Sequence, residues 1–378
     1  MRIVHLIARL NDGGPARVIA ELVAAQRAAG HRVWVLCGAC PPDEPDVAER
    51  LLPADSLLRI PGLGRRVAPW DDLCALRAIA RQLRALRPDI LHTHTAKAGA
   101  LGRLLARWLG LPCLHTYHGH VLSGYWHRAV HAALALLERT LAGTAWHQAL
   151  TPSQLRELRD RHRIGRRRRW CWLPPPIPLV EPRAAAWHAA LPADRPRVLW
   201  LARFAPVKDP LLWLHTVAEL QHALPVQAVL CGDGALRAAA EAEARRLGLS
   251  ATWTGFVPAG EALAIADLLL LTSRNEGLPL SAIEAAALGL PVVAPAVGGL
   301  ADAARWGLLR AAPRTPQALA AACAAALRAP RPAPHPLARA LAGPALPARY
   351  LALYARIVAA YRAARALSPA ASSAPSAS

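Results

Sequence analysis

Lysine, asparagine and phenylalanine are nearly missing from this chain. Among 378 residues there are two lysines, at 97 and 208, two asparagines, at 11 and 275, and two phenylalanines, at 204 and 256. Arginine carries almost all of a formal charge of +20 and is spread along the chain with alanine and proline, which reads as a compositional habit and argues against a specific nucleic-acid footprint. In such a chain a retained lysine marks a place where a compact point charge serves and a planar fork does not. Long apolar runs are absent too. No uninterrupted stretch reaches the ~20 residues of a membrane span, and Met1-Arg2-Ile3-Val4-His5-Leu6-Ile7 is too short an apolar run for a secretory leader. Seven cysteines (37, 40, 74, 113, 171, 231 and 323) are an odd number with one close pair, Cys37 and Cys40, and no second pair. That argues against a disulfide framework and against zinc, and suits a reducing, cytoplasmic setting. A Gly-x-Ser-x-Gly elbow is lacking, so a Ser-His-Asp hydrolase is disfavoured.

What is present is an alternation of apolar strands with helices, twice over. Strands are expected at Arg2 to Ile7, His31 to Cys37, Pro88 to His92, Pro112 to Tyr117 and Ala145 to Leu150. Then Leu173-Pro174-Pro175-Pro176-Ile177-Pro178, unable to form a helix or a central strand, reads as a linker. The alternation restarts at Arg197 to Leu201, Pro225 to Cys231, Ala251 to Thr254, Leu268 to Leu271 and Pro291 to Ala294. The expected organisation is a first domain over 1–173, a Pro-rich linker over 174–196, a second domain over 197–345, a helix over 346–367 packing back on the first domain, and a disordered tail over 368–378. Strands alternating with helices give doubly wound parallel sheets, whose ligands gather at the carboxyl ends of the strands.

The residues at those ends carry the chemistry. After the strand at 268–271 comes Thr272-Ser273-Arg274-Asn275-Glu276-Gly277-Leu278-Pro279-Leu280-Ser281-Ala282-Ile283-Glu284. Pro279 suits the first turn of a helix, Glu276 falls in the loop, and Glu284 lies about one turn in, roughly 6 Å along the axis at 1.5 Å per residue. Two carboxylates then bracket a helix N-terminus that favours an anion. A plain helix-start acid with a second on a solvated face would give the same pair. Arg203 and Lys208, at another strand end, suit two phosphates, or a surface ion-pair loop. Gly13-Gly14 and Gly232-Asp233-Gly234 are turns that allow close backbone approach, with a purely structural reading equally open. His118 ends the strand at 112–117 among several polar residues. Arg163 to Arg169, with Trp170 and Trp172, is a concentrated basic and aromatic patch that reads either as a solvated charge run or as an anionic-membrane contact.

Taken together these loops resemble the retaining glycosyltransferases of family 4. The strongest part is Glu276 to Glu284, matching the E-x7-E motif of that family; Arg203 and Lys208 match its diphosphate-contacting pair. His115-Thr116-Tyr117-His118-Gly119-His120 is similar to the segment of bacterial members acting on lipid-linked or envelope glycans. The resemblance implies an α/β GT-B fold, two Rossmann-like domains facing across a cleft, and transfer of a hexose from a UDP-linked nucleotide sugar to a glycan or lipid-linked acceptor, with retention. It implies catalytic roles for His118, Glu276, Arg203 and Lys208. The donor side would comprise Gly13, Gly14, Arg203, Lys208, Gly232, Phe256, Ser273, Asn275, Glu276, Gly277, Leu278 and Glu284. His94, Lys97, His120 and Tyr125 would form the acceptor side. No cofactor and no obligatory metal are expected, since Arg and Lys can neutralise the diphosphate and no Asp-x-Asp motif lies nearby. The alternatives are a sugar-nucleotide epimerase or phosphorylase of the same fold, and a non-enzymatic basic protein binding polyanions or membranes. Pro174-Pro175-Pro176, where the family has Pro-Asn-Gly, and a contracted loop after Gly299 depart from the pattern.

Overall fold

A computed structural model describes residues 1–366 except 43, 65, 120–127, 144, 179, 193 and 344. His120, Tyr125 and the tail over 368–378 therefore lie outside the described residues. Two parallel sheets organise the rest. The first is seven-stranded: β1 (Arg2–Arg9), β2 (Arg32–Gly38), β3 (Leu57–Arg59), β4 (Ile90–His94), β5 (Cys113–Tyr117), β6 (Trp146–Ala149) and β7 (Trp170–Trp172), in the order β3-β2-β1-β4-β5-β6-β7. The second is six-stranded: β8 (Arg197–Leu201), β9 (Gln227–Cys231), β10 (Ala251–Gly255), β11 (Leu268–Leu270), β12 (Val292–Pro295) and β13 (Arg310–Ala312), in the order β10-β9-β8-β11-β12-β13. Each order reverses once, at β1/β4 and at β8/β11, and a crevice opens at the carboxyl ends of the strands at such a switch point.

Burial explains the strands. Leu268, Leu269 and Leu270 are fully buried, as an apolar run needs when helices cover both sheet faces. The sequence expectations missed β3, β7 and β13, each three residues long and at a sheet edge. At β7 the arginine run hid the pattern, and Trp170 is a correction to the surface patch. Its indole is buried, donates to the Ile164 carbonyl at 2.7 Å and stacks on Tyr117 and His147 at 5.6 and 4.9 Å. Trp172 donates to the Leu150 carbonyl and lies 6.0 Å from Trp306 of the second sheet's domain. Arg163, Arg166, Arg167 and Arg168 stay exposed, and of the two patch tryptophans only Trp172 is exposed with them.

The first sheet holds polar groups where hydrocarbon would be ordinary. His5, His92, His94, His115 and His147 are all buried, each with side-chain or backbone hydrogen bonds. His92 and His94 share one face of β4 by the two-residue period, beside His5 of β1. The helices Gly14–Ala28 and Ala345–Ala366 cover that face, through Gln26, Tyr350 and Tyr354. On the other side, buried Arg103 donates two hydrogen bonds to the Glu138 carboxylate, at 2.8 and 2.9 Å.

Burial pushes His5 and His147 down to about 4 and holds His92, His94 and His115 well below 6.5. In the unfolded chain all five titrate near the ordinary value, so at acid pH the unfolded chain binds the extra protons. Their stability contribution is complete above pH ~6.5 and declines as pH falls toward 4, by up to about 1.4 kcal/mol per pH unit per histidine. Urea unfolding midpoints should hold level from pH 8 to 7 and drop steeply between 6.5 and 5; a flat midpoint down to pH 5 would contradict neutral burial.

Candidate active site

The crevices of the two sheets face one another and form one cavity of about 420 Å³. Its lining comes from the end of β1 and the segment after it (Arg9, Asn11, Gly13, Gly14) and from the segments after β5 (His118), β8 (Arg203, Lys208), β9 (Gly232), β10 (Phe256) and β11 (Asn275 to Ser281, and Glu284). Arg17, on the first helix, joins them.

The loops are tied together before any ligand arrives. Thr272 Oγ1 donates to the carbonyls of Lys208 and Asp209 at 3.1 and 2.9 Å, and the Arg274 amide donates to the Val207 carbonyl at 2.8 Å. Asp209 starts the next helix by accepting from the Leu212 amide at 3.3 Å, and also pairs with Arg274 and Arg314. Lys208 is thereby aimed at Glu276, with which it forms an ion pair, while Ser273 Oγ donates to the same Glu276 oxygen at 2.6 Å. Ser273, expected to touch a ligand, instead stands behind Glu276 and orients it. Phe204 is fully buried against Trp200 and Trp253, at 5.3 and 5.7 Å, and holds the turn after β9: its amide donates to the Asp233 carbonyl and its carbonyl accepts from Leu236. Gly232 sits at φ 137° where a side chain would strike the Ala202 carbonyl, so the turn needs glycine for backbone clearance.

Glu284 is the anomaly. It lines the cavity with its side chain 2% exposed, and its Oε1 has no hydrogen-bond partner. Arg17 Nη1 stands 3.5 Å away from the other domain, close enough for charge attraction. Burial raises the Glu284 pKa, with Arg17 opposing. The helix Leu280–Ala287 begins beside it with no side-chain cap at Pro279, so its first-turn amides remain available to an anion. The cavity thus offers two carboxylates, Arg203, Lys208, Arg17 and a helix N-terminus: a set suited to a ligand with hydroxyls at both ends and anionic groups between.

Across the cleft, His118 lines the cavity and its Nε2 lies 2.9 Å from His94 Nδ1. Burial pushes His118 down to about 4. His94 is itself fully buried, so it supports His118 from behind. Lys97, expected on the acceptor side, is held in an ion pair with Asp72 and donates to the Arg66 carbonyl at 2.5 Å, outside the cavity lining. Two contributors escaped the sequence reading. Arg17 carried no signal in so arginine-rich a chain. Asp302, in the contracted loop, accepts from the amide and hydroxyl of Ser153 in the other domain, at 3.0 and 2.5 Å.

Comparison with known proteins gives this site its family. Residues 12–180 match the model of Glycosyltransferase Family 4 and residues 195–329 that of Glycosyl transferases group 1. The chain belongs to this glycosyltransferase family, and its fold is GT-B. It is 25% identical over 260 residues to the Escherichia coli UDP-Gal:alpha-D-GlcNAc-diphosphoundecaprenol alpha-1,3-galactosyltransferase, covering 64% of this chain and 66% of that one. With the D-inositol 3-phosphate glycosyltransferase of Geodermatophilus obscurus it shares 30% over 283 residues, 65% of this chain and 61% of the relative. The matches therefore span less than two thirds of these curated relatives. Among solved structures, sucrose-phosphate synthase from Thermosynechococcus elongatus superposes with a TM-score of 0.78 at 23% identity, over 95% of this chain and 100% of that one. Anabaena HepE in complex with UDP-glucose gives 0.69 at 18%, over 97% and 99%.

A buried carboxylate without a hydrogen bond lowers stability until a ligand satisfies it. Glu284→Met should therefore raise the ligand-free unfolding free energy by about 1 to 3 kcal/mol, read by urea titration, and abolish ligand-induced stabilisation. A loss of ligand-free stability would show that Arg17 already satisfies the acid.

Proposed function

We propose that the protein transfers a hexose from a nucleotide sugar, UDP-linked, to a glycan or lipid-linked acceptor of the bacterial envelope, with retention and without an obligatory metal. The carrying observation is the Glu284 carboxylate, buried at the cavity wall with an orphaned oxygen. In this reading it accepts the ribose hydroxyls, and Glu276 accepts those of the sugar. Support for the donor comes from relatives: the E. coli enzyme is named for UDP-Gal and the Anabaena neighbour was crystallised with UDP-glucose. Support for a lipid-linked acceptor comes from the diphosphoundecaprenol in the E. coli enzyme's name.

The chemistry follows from where charge develops. As the bond from the sugar's anomeric carbon to the diphosphate breaks, negative charge grows on the leaving oxygens. Arg203, Lys208 and the amides at 280–281 meet it, each well-placed donor contributing about 3 kcal/mol. Lys208 must exchange its Glu276 partner for phosphate, which frees Glu276 for the sugar. The acceptor hydroxyl attacks from the face the diphosphate leaves, and its proton passes to the departing phosphate oxygen, so configuration is kept. With Arg203, Lys208 and a helix end on the anion, a divalent ion has no necessary task. Exposed Arg163, Arg166, Arg167 and Arg168 support attraction to an anionic membrane surface, each worth about 1 kcal/mol. Among the described residues no helix is long and apolar enough to cross a membrane.

Glu276→Gln and Lys208→Ala should each cut turnover about 100- to 1,000-fold while thermal unfolding stays cooperative. The assay is acceptor-dependent release of nucleoside diphosphate. Release without acceptor would favour an epimerase or hydrolytic side reaction, and undiminished turnover in both variants would sink the assignment. Excess EDTA should leave the rate unchanged; a collapse restored by magnesium would overturn the metal-free reading.

A further inference from the structure

The histidines behind the cleft first suggest a metal. His5, His92 and His94 bring ligand atoms within 4.8 Å of one another. Yet every one of their ring nitrogens already has a partner: Gln26 and His94 for His5, Tyr354 and Thr116 for His92, His5 and His118 for His94. With no free lone pair directed at a common point, the trio is spent on hydrogen bonds, and these bonds have a direction that can be worked out.

The direction is fixed at the linker. Gln148 places its amide nitrogen 2.8 Å from the Leu173 carbonyl and 2.5 Å from Tyr350 Oη, and Tyr350 in turn donates to the Pro174 carbonyl at 3.1 Å. Carbonyl oxygens only accept, so the Gln148 NH2 must face them and its Oε1 must face Thr116, 2.8 Å away. The Thr116 hydroxyl therefore donates to Gln148, and its oxygen receives the proton of His92 Nε2 at 2.6 Å. A neutral His92 then accepts at Nδ1 from the Tyr354 hydroxyl at 2.6 Å. Tyr354 accepts from the Gln26 amide nitrogen at 3.3 Å, which turns Gln26 Oε1 toward His5 Nε2 at 2.9 Å. Hence His5 is protonated at Nε2 and accepts at Nδ1 from His94 Nε2, at 3.0 Å. His94 in its turn accepts at Nδ1 from His118 Nε2, at 2.9 Å. Each histidine on the path is neutral because burial opposes its charged form.

We propose that this chain, anchored on the Leu173 and Pro174 carbonyls of the interdomain linker, holds His118 as the Nε2–H tautomer, so that it offers the cavity an acceptor at Nδ1. His118 Nδ1 has no partner among the described residues, and its ring lines the cavity. His118 is then set to receive a proton-bearing hydroxyl of the substrate and not to donate to its oxygen. Gln26, His5, His94, His92 and Tyr354 become positioning residues, and the C-terminal helix becomes a support of the site through its two tyrosines. The consequence for sugar binding rests on the glycosyl-transfer reading; the tautomer itself does not.

The test is nitrogen and carbon NMR of the full chain labelled at histidine, without substrate, with His118 assigned from the spectrum of His118→Gln. The expected result is one dominant His118 form, protonated at Nε2 and bare at Nδ1. Gln26→Met, which removes the acceptor for His5, and Tyr354→Phe, which keeps the ring packing and deletes the hydroxyl, should each shift His118 to a mixture of both tautomers. They should also lower kcat/KM several-fold while free UDP binds as in the parent. A dominant Nδ1–H form in the parent overturns the proposal, and an unchanged His118 in either folded variant overturns the anchoring by the chain. Because the spectra need no turnover, correct tautomers with no transferase activity would count against the functional reading alone.

Discussion

The site exists only because three stretches of backbone approach without side chains between them. A Cβ at Gly277 would strike the His118 carbonyl across the cleft, and one at Gly299 would strike Gly277. The Gly299 amide closes the group by donating to the Glu276 carbonyl at 2.9 Å. Glycine here is a clearance requirement, and it fixes the distance between the histidine loop of one sheet and the acidic loop of the other. Ser153 and Asp302 register the same two domains a little farther out. The contracted loop after Gly299 thus forms the short helix Gly299–Arg305 and supplies a cross-domain contact.

Within that frame the charges are arranged at a cost. Lys208 and Glu276 neutralise one another, whereas Glu284 is buried against an arginine too distant for a hydrogen bond. Desolvation of a carboxylate whose oxygen lacks a hydrogen bond opposes folding, and a structure tolerates it where binding energy later offsets it. The pattern favours a ligand site over an ion-pair network, since a pair serving stability alone gains from a closer contact than the 3.5 Å between Arg17 and Glu284.

Much of this was legible from residue spacing. The alternation of strands, the position of Glu276 and Glu284 on either side of a helix start, and the pairing of Arg203 with Lys208 all follow from local rules of strand, turn and cap. Scarcity was a useful guide for Lys208 and Asn275, which line the cavity, and a misleading one for Lys97, which serves an ion pair with Asp72. Phe204 lies between these cases, since it never meets the cavity yet holds the turn that does. What stayed hidden were features that depend on long-range contact: three-residue edge strands with too few residues to show a period, Arg17 lost among its kind, and Trp170, whose burial depends on Tyr117 and His147 being there to stack upon. Spacing alone left open the choice between a helix-start acid and a hydroxyl-binding one, and it is the family resemblance that favours the second.

The buried histidines join fold and chemistry. A sheet interior filled with imidazole in place of hydrocarbon gains nothing in hydrophobic stabilisation and becomes vulnerable to acid, so packing alone does not account for it. What imidazole adds is direction: each neutral ring has one donor and one acceptor, and a row of them transmits orientation without moving charge. A leucine at any point of the row would leave His118 free to choose its tautomer. Neutrality is therefore a condition of the device, and the burial that makes the domain acid-sensitive is also what keeps the row directional. The helix Ala345–Ala366 supplies both tyrosine hydroxyls of the row, so a segment far along the chain acts on His118 through intermediaries.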